Sequence, residues 1–436
     1  MVVEEVKRAY ERTKPPIESL IILPVRVAFK GGLPLELAAY LGRIQYASWE
    51  KGVSFEAIGD QLVAAIEKRV ALPEGDTSEK HDFSEEGIQD LADEKAAPLP
   101  SMDPRLTGAV RPDSPFYIER AADAVVLNQV RGEGTTTVIK GARQTGKSSL
   151  LARAYASAKE QQRKVFYLDF QLVDDARLES LEDLFQYMAY RIERTFKTSI
   201  KSRAVWDDFL GAKDNLTDFV EDAVLSEAGA PVVFLFDEVD RVFDCAFRGD
   251  FFATLRAWHN RRAYDENWNN FNLIIAHSTD AHLWIEDINQ SPFNVGWRIT
   301  LDDFNDAEVA ELNARYGSPL KSEEEIQALM DLTGGQPYLV RKALYTLAVN
   351  ESSLEQLQAV AVKEHGPFGD HLQWYLWRLQ RHEELKDSLS MILRHGACDD
   401  ELHFQRLRAG GLVKGTSRRE AHIRCQLYAD YLRDSL

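Results

Sequence analysis

A glycine-rich octapeptide near the middle of the chain has the spacing of a phosphate-binding loop. Residues 141–148 read Gly-Ala-Arg-Gln-Thr-Gly-Lys-Ser and fit the pattern G-x-x-x-x-G-K-(S/T) at every fixed position. Gly141 and Gly146 let the backbone curl so that successive N–H groups face phosphate oxygens. We expect Lys147 to reach the β- and γ-phosphates of ATP, and Ser148 to ligate Mg²⁺ through its hydroxyl. The predicted nucleotide contacts in this loop are Gly141, Ala142, Arg143, Gln144, Thr145, Gly146, Lys147, Ser148 and Ser149.

Two adjacent carboxylates follow a buried apolar segment, Pro231 to Phe236. A phosphate-bound Mg²⁺ needs a second protein anchor, and Asp237 at a strand end supplies it. Glu238 follows at a position from which a general base could polarise the attacking water. The alternative is that Asp237 caps a helix and Glu238 is a solvated first-turn acid. Asp240 and Arg241 are explained equally well by a surface ion pair.

A third polar strand end follows the apolar segment Asn272 to Ala276. Thr279 or Ser278 is predicted to hydrogen-bond the γ-phosphate or the attacking water; the alternative is an N-cap of the next short helix. His277 is more typical of a core or capping histidine than of a catalytic one. The predicted catalytic set is Glu238, Lys147 and Thr279.

The scaffold that positions these groups is predicted to be an α/β fold. Four near-continuous apolar segments alternate with helices, which indicates a parallel sheet covered by helices on both faces. These strands are predicted at Thr136 to Lys140, Lys164 to Phe170, Pro231 to Phe236 and Asn272 to Ala276. A helix, Ser148 to Lys159, follows the phosphate-binding loop. From Asp306 onward nearly everything is predicted to be helical, apart from a possible hairpin between Gly411 and Cys425.

The composition of the chain restricts its class and partners. With 436 residues, 44% of them hydrophobic and 28% charged, the chain is typical of a folded, multidomain, water-soluble protein. Its 52 Lys and Arg against 70 Asp and Glu give a net charge of −18, so contact with nucleic acid or anionic lipid requires a local basic patch. No apolar run is long enough for a membrane span and no signal peptide is visible. We therefore predict a cytoplasmic protein with no membrane partner.

The pattern along the chain predicts five segments. Residues 1–70 alternate helix and strand signals, and residues 71–112 form an acidic, proline-containing linker. Residues 113–303 form the ATPase core, residues 304–365 a helical lid, and residues 366–436 a C-terminal domain.

Residues 113–436 resemble the bacterial AAA-like ATPases of the signal-transducing STAND class. The segments that carry this resemblance are the phosphate-binding loop, Phe234 to Glu238, Ser278 with Thr279, Ser291 to Gly296, and Gly334 to Pro337. The resemblance implies that Arg120, just before the core, approaches the nucleotide. It also implies that Pro337 of the lid packs near the adenine. No single arginine finger is identified among Arg256, Arg261, Arg262 and Arg298.

Residues 366–436 resemble the winged-helix domain that follows such ATPase cores. The resemblance assigns the recognition helix to Glu401–Ala409, the wing to Gly411–Cys425 and a closing helix to Gln426–Ser435. A basic cluster in this segment could track nucleic-acid phosphates, although an autoinhibitory or oligomerising role is favoured. This cluster consists of Arg406, Arg408, Lys414, Arg418 and Arg419.

Residues 1–70 resemble the second half of a TIR domain, which is a flavodoxin-like α/β fold. The resemblance rests on the helical segment Glu5 to Ala9, the apolar segment Leu20 to Val27 and the helix Phe55 to Lys68. In that family the glutamate of an E-x-x-x-A helix cleaves NAD, and Glu5 occupies the matching place; the alternative is a solvated helix residue. Because the loop that holds NAD in that family would precede Met1, we expect no NAD hydrolysis by this chain.

Together these features predict an ATPase that acts as a signal-transduction switch. ATP with Mg²⁺ binds, and slow hydrolysis to ADP controls the homo-oligomerisation of a TIR-type effector, which the resemblance links to bacterial defence. The trigger is an unidentified protein or nucleic acid. Two alternatives stay open: a DNA-associated ATPase of the replication-initiator or transposition-regulator type, and a scaffold that binds nucleotide without hydrolysing it.

Overall fold

The computed structural model describes residues 25–27, 47–49, 108–227, 229–278 and 295–436. The chain divides into two compact units, residues 1–93 and 94–436. In the first unit, strand β1 (Val25–Val27) pairs in parallel with strand β2 (Ala47–Trp49). β1 lies within the apolar segment Leu20 to Val27. The predictions for Glu5, for Thr279, for most of the linker and for the segment 291–294 lie outside the described residues.

The second unit is built on a five-stranded parallel sheet. Its strands are β3 (Thr136–Lys140), β4 (Lys164–Asp169), β5 (Val232–Asp237), β6 (Phe271–His277) and β7 (Trp297–Thr300). They lie in the order β4-β5-β6-β3-β7, and every neighbouring pair is parallel. The carboxyl ends of β3, β5 and β6 therefore meet at one edge, with β6 between the other two. This order brings the three predicted polar strand ends together.

The strands are apolar along their length because helices cover both faces of the sheet. All residues of β5 and β6 are buried. One core between sheet and helices contains Val126, Leu150 and Ile274, and the opposite core is rich in aromatic rings, such as Phe234 and Trp258. The parallel α/β fold was thus predicted correctly.

Seven α-helices accompany the sheet in the described part of the chain. They are α1 (Ala121–Arg131), α2 (Lys147–Glu160), α3 (Leu181–Phe196), α4 (Ser202–Val205), α5 (Ala212–Phe219), α6 (Asp240–Phe243) and α7 (Arg248–Arg261). A π-helical turn, Val220–Leu225, continues α5. Helix α2 begins directly at the end of the phosphate-binding loop, so its positive N-terminal end faces the loop.

The remainder of this unit is helical and has a core of its own. Its helices are α8 (Asp306–Arg315), α9 (Glu323–Thr333), α10 (Pro337–Asn350), α11 (Leu354–Val360), α12 (Gly369–Leu379), α13 (Glu383–His395), α14 (Glu401–Ala409) and α15 (Gln426–Ser435). An antiparallel hairpin, β8 (Val413–Lys414) with β9 (His422–Ile423), lies between the last two helices. Helices α14 and α15 have the bounds expected from sequence. Among the described helices, none is both long and apolar enough to cross a membrane.

Candidate nucleotide site

The phosphate-binding loop connects β3 to α2 through a tightly curled backbone. Gln144 and Gly146 have positive φ angles of 63° and 98°, which turn successive amides toward one centre. The Gly141 amide donates to His277 O at 3.2 Å, which ties the loop to the end of β6. A Cβ atom on Gly141 would lie only 2.8 Å from Leu301 O. This position therefore admits only glycine without a backbone shift.

Lys147 is a buried cation at the centre of this loop. Its side chain donates to Gly141 O at 2.9 Å and to Ala142 O at 3.1 Å, and the residue is 4% exposed. Burial lowers the pKa of Lys147, while the charges of Glu238 and two neighbouring aspartates oppose that shift. An ammonium group held only by neutral carbonyls suits the binding of an anion such as a phosphate.

The two carboxylates after β5 face different environments, as their predicted roles require. Asp237 is 2% exposed and accepts a hydrogen bond from Tyr167 Oη at 3.1 Å. Glu238 has a φ of 51°, an uncommon value for a residue other than glycine, so the backbone turns sharply after Asp237. Burial raises the pKa of Glu238, and Lys147 opposes the shift. A carboxylate with a raised pKa is better matched to accepting a proton near neutral pH.

Two residues beyond Glu238, Asp240 and Arg241, contact neighbouring segments at this edge of the sheet. Asp240 accepts a hydrogen bond from the Ser278 amide at 2.8 Å, joining β5 to the end of β6. Arg241 donates to Val173 O at 2.7 Å and forms an ion pair with Asp175. Arg241 is therefore held in an ion pair at the surface, as that alternative expects, while Asp240 holds the end of β6.

A cavity of about 340 Å³ adjoins the loop and has the composition of a nucleotide pocket. The predicted site residues that line it are Arg120, Arg143, Gln144, Thr145, Gly146, Lys147, Ser148, Ser149, Glu238 and Pro337. Apolar side chains such as Ile118 and Leu312 line the other wall. Pro337 is the first residue of α10, so the lid forms part of this cavity. The structure thus brings the predicted loop, base and lid residues together.

Arg120 braces the loop from the side of α1. Its guanidinium donates to Thr145 O at 2.8 Å and to Asp302 O at 3.2 Å, while its buried Nε has no hydrogen-bond partner. It thereby links the loop to the segment that follows β7.

Two residues of α10 that line this cavity were not among the predicted site residues. Tyr338 and Arg341 line it from α10, and Arg341 is 8% exposed. Arg341 lies four residues after Pro337, so the two share one helix face. That spacing was the signal that could have placed a cation in this cavity.

The residues present fit a nucleotide with its metal ion. The curled backbone, Lys147 and the N-terminus of α2 provide donors for phosphate oxygens. No cluster of three or more His, Cys, Asp or Glu suited to a metal occurs among the described residues. For a Mg²⁺ bound to the phosphates, Ser148 and Asp237 are the residues predicted to supply one hydroxyl and one carboxylate.

Two of the candidate arginine fingers, Arg261 and Arg262, are held by groups of the same chain. Arg261 forms an ion pair with Glu221. Arg262 donates to Thr135 O and Phe271 O, both at 3.0 Å, at the amino end of the sheet and away from the phosphate-binding loop. Burial lowers the pKa of Arg262 to about 10. Arg298 is exposed on β7, at the edge of the sheet.

The chain belongs to the AAA-like domain family, which it matches over residues 106–434. An uncharacterized WD repeat-containing protein of Synechocystis sp. is 28% identical over 273 residues, which make up 60% of this chain. The match spans 23% of that relative's length.

One solved structure with little sequence identity shares the fold, and a second shows a weaker likeness. The Walker-type ATPase of Pyrococcus abyssi is 16% identical, with a TM-score of 0.51 over 75% of this chain and 99% of that chain. Cdc6p of Pyrobaculum aerophilum is 15% identical, with a TM-score of 0.40 over 74% of this chain and 97% of its own.

Proposed function

We propose that this protein is a Mg²⁺-dependent ATPase that works as a nucleotide-driven switch. The observation that carries this proposal is Lys147, a buried cation that donates to two loop carbonyls, in a cavity that also contains Glu238. Membership of the AAA-like family and the shared fold with a Walker-type ATPase support it. ATP binds through the loop and the lid, and hydrolysis to ADP changes the lid contacts.

In the proposed reaction, Lys147 neutralises charge on the β- and γ-phosphates. Mg²⁺, held by Ser148 and Asp237, would withdraw charge from the same oxygens. Glu238 accepts the proton of the attacking water, and its raised pKa fits that task. Thr279, which lies just beyond the described residues, is proposed to hydrogen-bond the γ-phosphate or the attacking water.

The experiment is nucleotide binding and turnover by the full chain. Lys147→Ala should abolish ATP binding in calorimetry, whereas Lys159→Ala, at the exposed far end of the same helix, should not change it. Glu238→Gln should keep binding and slow hydrolysis by about 10²–10⁴-fold. ATP affinity in Lys147→Ala equal to that of the parent would disprove the site. Tight binding without turnover in the parent would support the scaffold alternative.

Contacts between the C-terminal segment and the loop favour the switch. The Arg143 amide donates to Ala409 O at 3.2 Å, so the end of α14 lies on the loop that would contact the nucleotide. We propose that this segment is the winged-helix domain of the STAND class and that nucleotide state controls these contacts. Control of homo-oligomerisation and of a TIR-type effector belongs to the same proposal.

DNA association is less favoured because much of the predicted basic cluster is engaged inside the protein. Lys414 forms an ion pair with Asp303 at 2.8 Å. Arg418 donates to Asp399 O, and Arg406 lines a cavity beside the phosphate-binding loop. ATP turnover that rises when DNA is added in moderate salt would support the DNA-associated alternative.

A further inference from the structure

A second cavity, of about 400 Å³, lies between the phosphate-binding loop and the C-terminal helices. Arg143 and Glu238 line both this cavity and the nucleotide cavity. The opposite wall is contributed by Trp374 and Arg378 of α12 and by Arg406 of α14. We call this space the α12 cavity. It adjoins the nucleotide site at the residue proposed to activate water.

Two guanidinium groups in the α12 cavity stack on one aromatic ring. The guanidinium carbons of Arg143 and Arg378 lie 4.2 Å and 5.0 Å from the centre of the Trp374 ring. Within the part of the chain that the structure describes, neither guanidinium has a hydrogen bond or an ion pair. Arg378 is an exposed residue, and its pKa is lowered by partial burial of the guanidinium and then by the charge of Arg143. Two like charges held at one indole ring have a free-energy cost that a bound anion would offset.

The other charged groups of the α12 cavity divide between its two walls. The acids Glu238, Asp240 and Asp244 all follow β5, and Asp240 already accepts a hydrogen bond from the Ser278 amide. Arg241, on the same wall, is engaged with Asp175. On the opposite wall His382 and Arg406 add to the cations of α12. The side of the cavity formed by the loop and the C-terminal helices is therefore the side that suits an anion.

We propose that Arg143 and Arg378 form a binding site for an inorganic or organic phosphate, next to the nucleotide site. Planar guanidinium groups pair with phosphate oxygens through two hydrogen bonds each, which makes this the ligand that best matches the two cations. The proposal rests on the proposed function only for the origin of the ligand. A phosphate released by hydrolysis would occupy the site before it leaves; otherwise a phosphorylated ligand enters from solution. Binding is non-covalent, and no bond is formed or broken in this site.

The test compares two arginines of the same helix by calorimetry on the full chain. Arg381 lies three residues after Arg378, with its guanidinium carbon 3.8 Å from the Trp377 ring, and it does not contribute to the described lining of the α12 cavity. Arg378→Gln should weaken binding of inorganic phosphate about tenfold or more, since a charged hydrogen bond contributes about 1.5–3 kcal/mol. Arg381→Gln should not weaken it, and Arg378→Lys should retain part of it.

Two ligands, each titrated with and without ADP, distinguish the two sources of the bound phosphate. Inorganic phosphate that binds more tightly with ADP present, and that inhibits turnover, indicates the released product. Phenyl phosphate that binds equally with and without ADP indicates an external phosphorylated ligand. Whichever of these two results the parent gives, it must be lost in Arg378→Gln. Equal phosphate affinity in Arg378→Gln and the parent, equal losses in both arginine variants, or no phosphate binding by the parent would each overturn the proposal. Absence of ATP binding alone would contradict only the proposed function.

Discussion

A chain of buried hydrogen bonds links the phosphate-binding loop to the last helix, and it can be broken by removing one oxygen atom. Gln336 Nε2 donates to Arg143 O at 3.3 Å, and Tyr428 Oη donates to Gln336 Oε1 at 2.9 Å. The oxygen of Gln336 can only accept, so Tyr428 accepts in turn from His371 Nε2, 2.7 Å away. Burial lowers the pKa of His371 to about 3, which keeps it neutral. Gln336 and Tyr428 are 0% and 1% exposed.

Tyr428→Phe should therefore cost more stability than the loss of one hydroxyl suggests. The substitution leaves Gln336 Oε1 and His371 Nε2 buried without that partner. Each unsatisfied buried group costs about 1–3 kcal/mol, so the free energy of unfolding should fall by about 2–6 kcal/mol. The amide of Gln336 is then free to turn away from Arg143 O. We expect weaker nucleotide binding although Tyr428 is not among the described residues that line the nucleotide cavity.

The assay is urea unfolding of the full chain together with calorimetric titration of ATP. Tyr264→Phe is the matched control, because Tyr264 is 75% exposed and the change should stay within about 0.5 kcal/mol. In a double-mutant cycle with Gln336→Met, the effect of Tyr428→Phe on ATP affinity should disappear if it acts through Gln336. Additive effects on affinity, or an unfolding free energy equal to that of Tyr264→Phe, would refute this reasoning.

Three further predictions concern residues around the same site. Folding lowers the pKa of His371 from 6.5 to about 3. As the pH falls below 6.5, His371 is therefore protonated in the unfolded chain while it is still neutral in the folded one. The unfolding free energy should thus decrease by up to about 1.4 kcal/mol per pH unit, and His371→Gln should remove that slope in urea titrations. Gly141→Ala should abolish ATP binding in calorimetry, since its Cβ would meet a backbone oxygen at 2.8 Å; an unchanged affinity would contradict the loop geometry. Asp303→Asn should lower the free energy of unfolding in urea by about 3–5 kcal/mol, because it leaves the buried Arg424 without its carboxylate partner. The matched change Asp430→Asn, in an exposed ion pair, should cost about 0–1 kcal/mol, and equal losses would contradict the role of Asp303.

The central strands and the loop could be predicted because their signals are local. β3, β5 and β6 are buried on both faces, so each is an apolar run that ends at a polar residue, and the predicted bounds differ from the observed ones by one residue at most. The phosphate-binding loop combines two glycines with Lys147 at a fixed spacing, and few other local structures need that combination.

β7 was missed because it lacks this signal. It has four residues, it lies at the edge of the sheet, and only Ile299 is buried. Trp297 is 56% exposed, so the segment has no apolar face by which it could be recognised. Its place is fixed by hydrogen bonds to β3, which are long-range contacts that a local pattern does not contain.

The partners of individual polar residues depend on contacts across the sequence and could not be predicted either. Arg241 contacts the segment after β4, about seventy positions earlier in the chain. Lys414 reads as an exposed cation of the hairpin, yet it pairs with Asp303 and donates to Gly334 O at 3.0 Å. Sequence reasoning therefore identified the site's chemical groups, whereas the structure was needed to show which C-terminal residues surround them.

These C-terminal contacts have a thermodynamic consequence for the proposed switch. Residue 143 of the loop is held through its amide by Ala409, through its carbonyl by Gln336 and through its side chain by Trp374. If nucleotide binding weakens these contacts by a given factor, then breaking the contacts must raise nucleotide affinity by the same factor, because the two equilibria are reciprocally linked. Variants that loosen the C-terminal segment without touching the nucleotide cavity would then bind ATP more tightly. If the contacts instead support the loop, as the Gln336 geometry suggests, the same variants bind ATP less tightly. The sign of that change separates a C-terminal segment that restrains the loop from one that completes it.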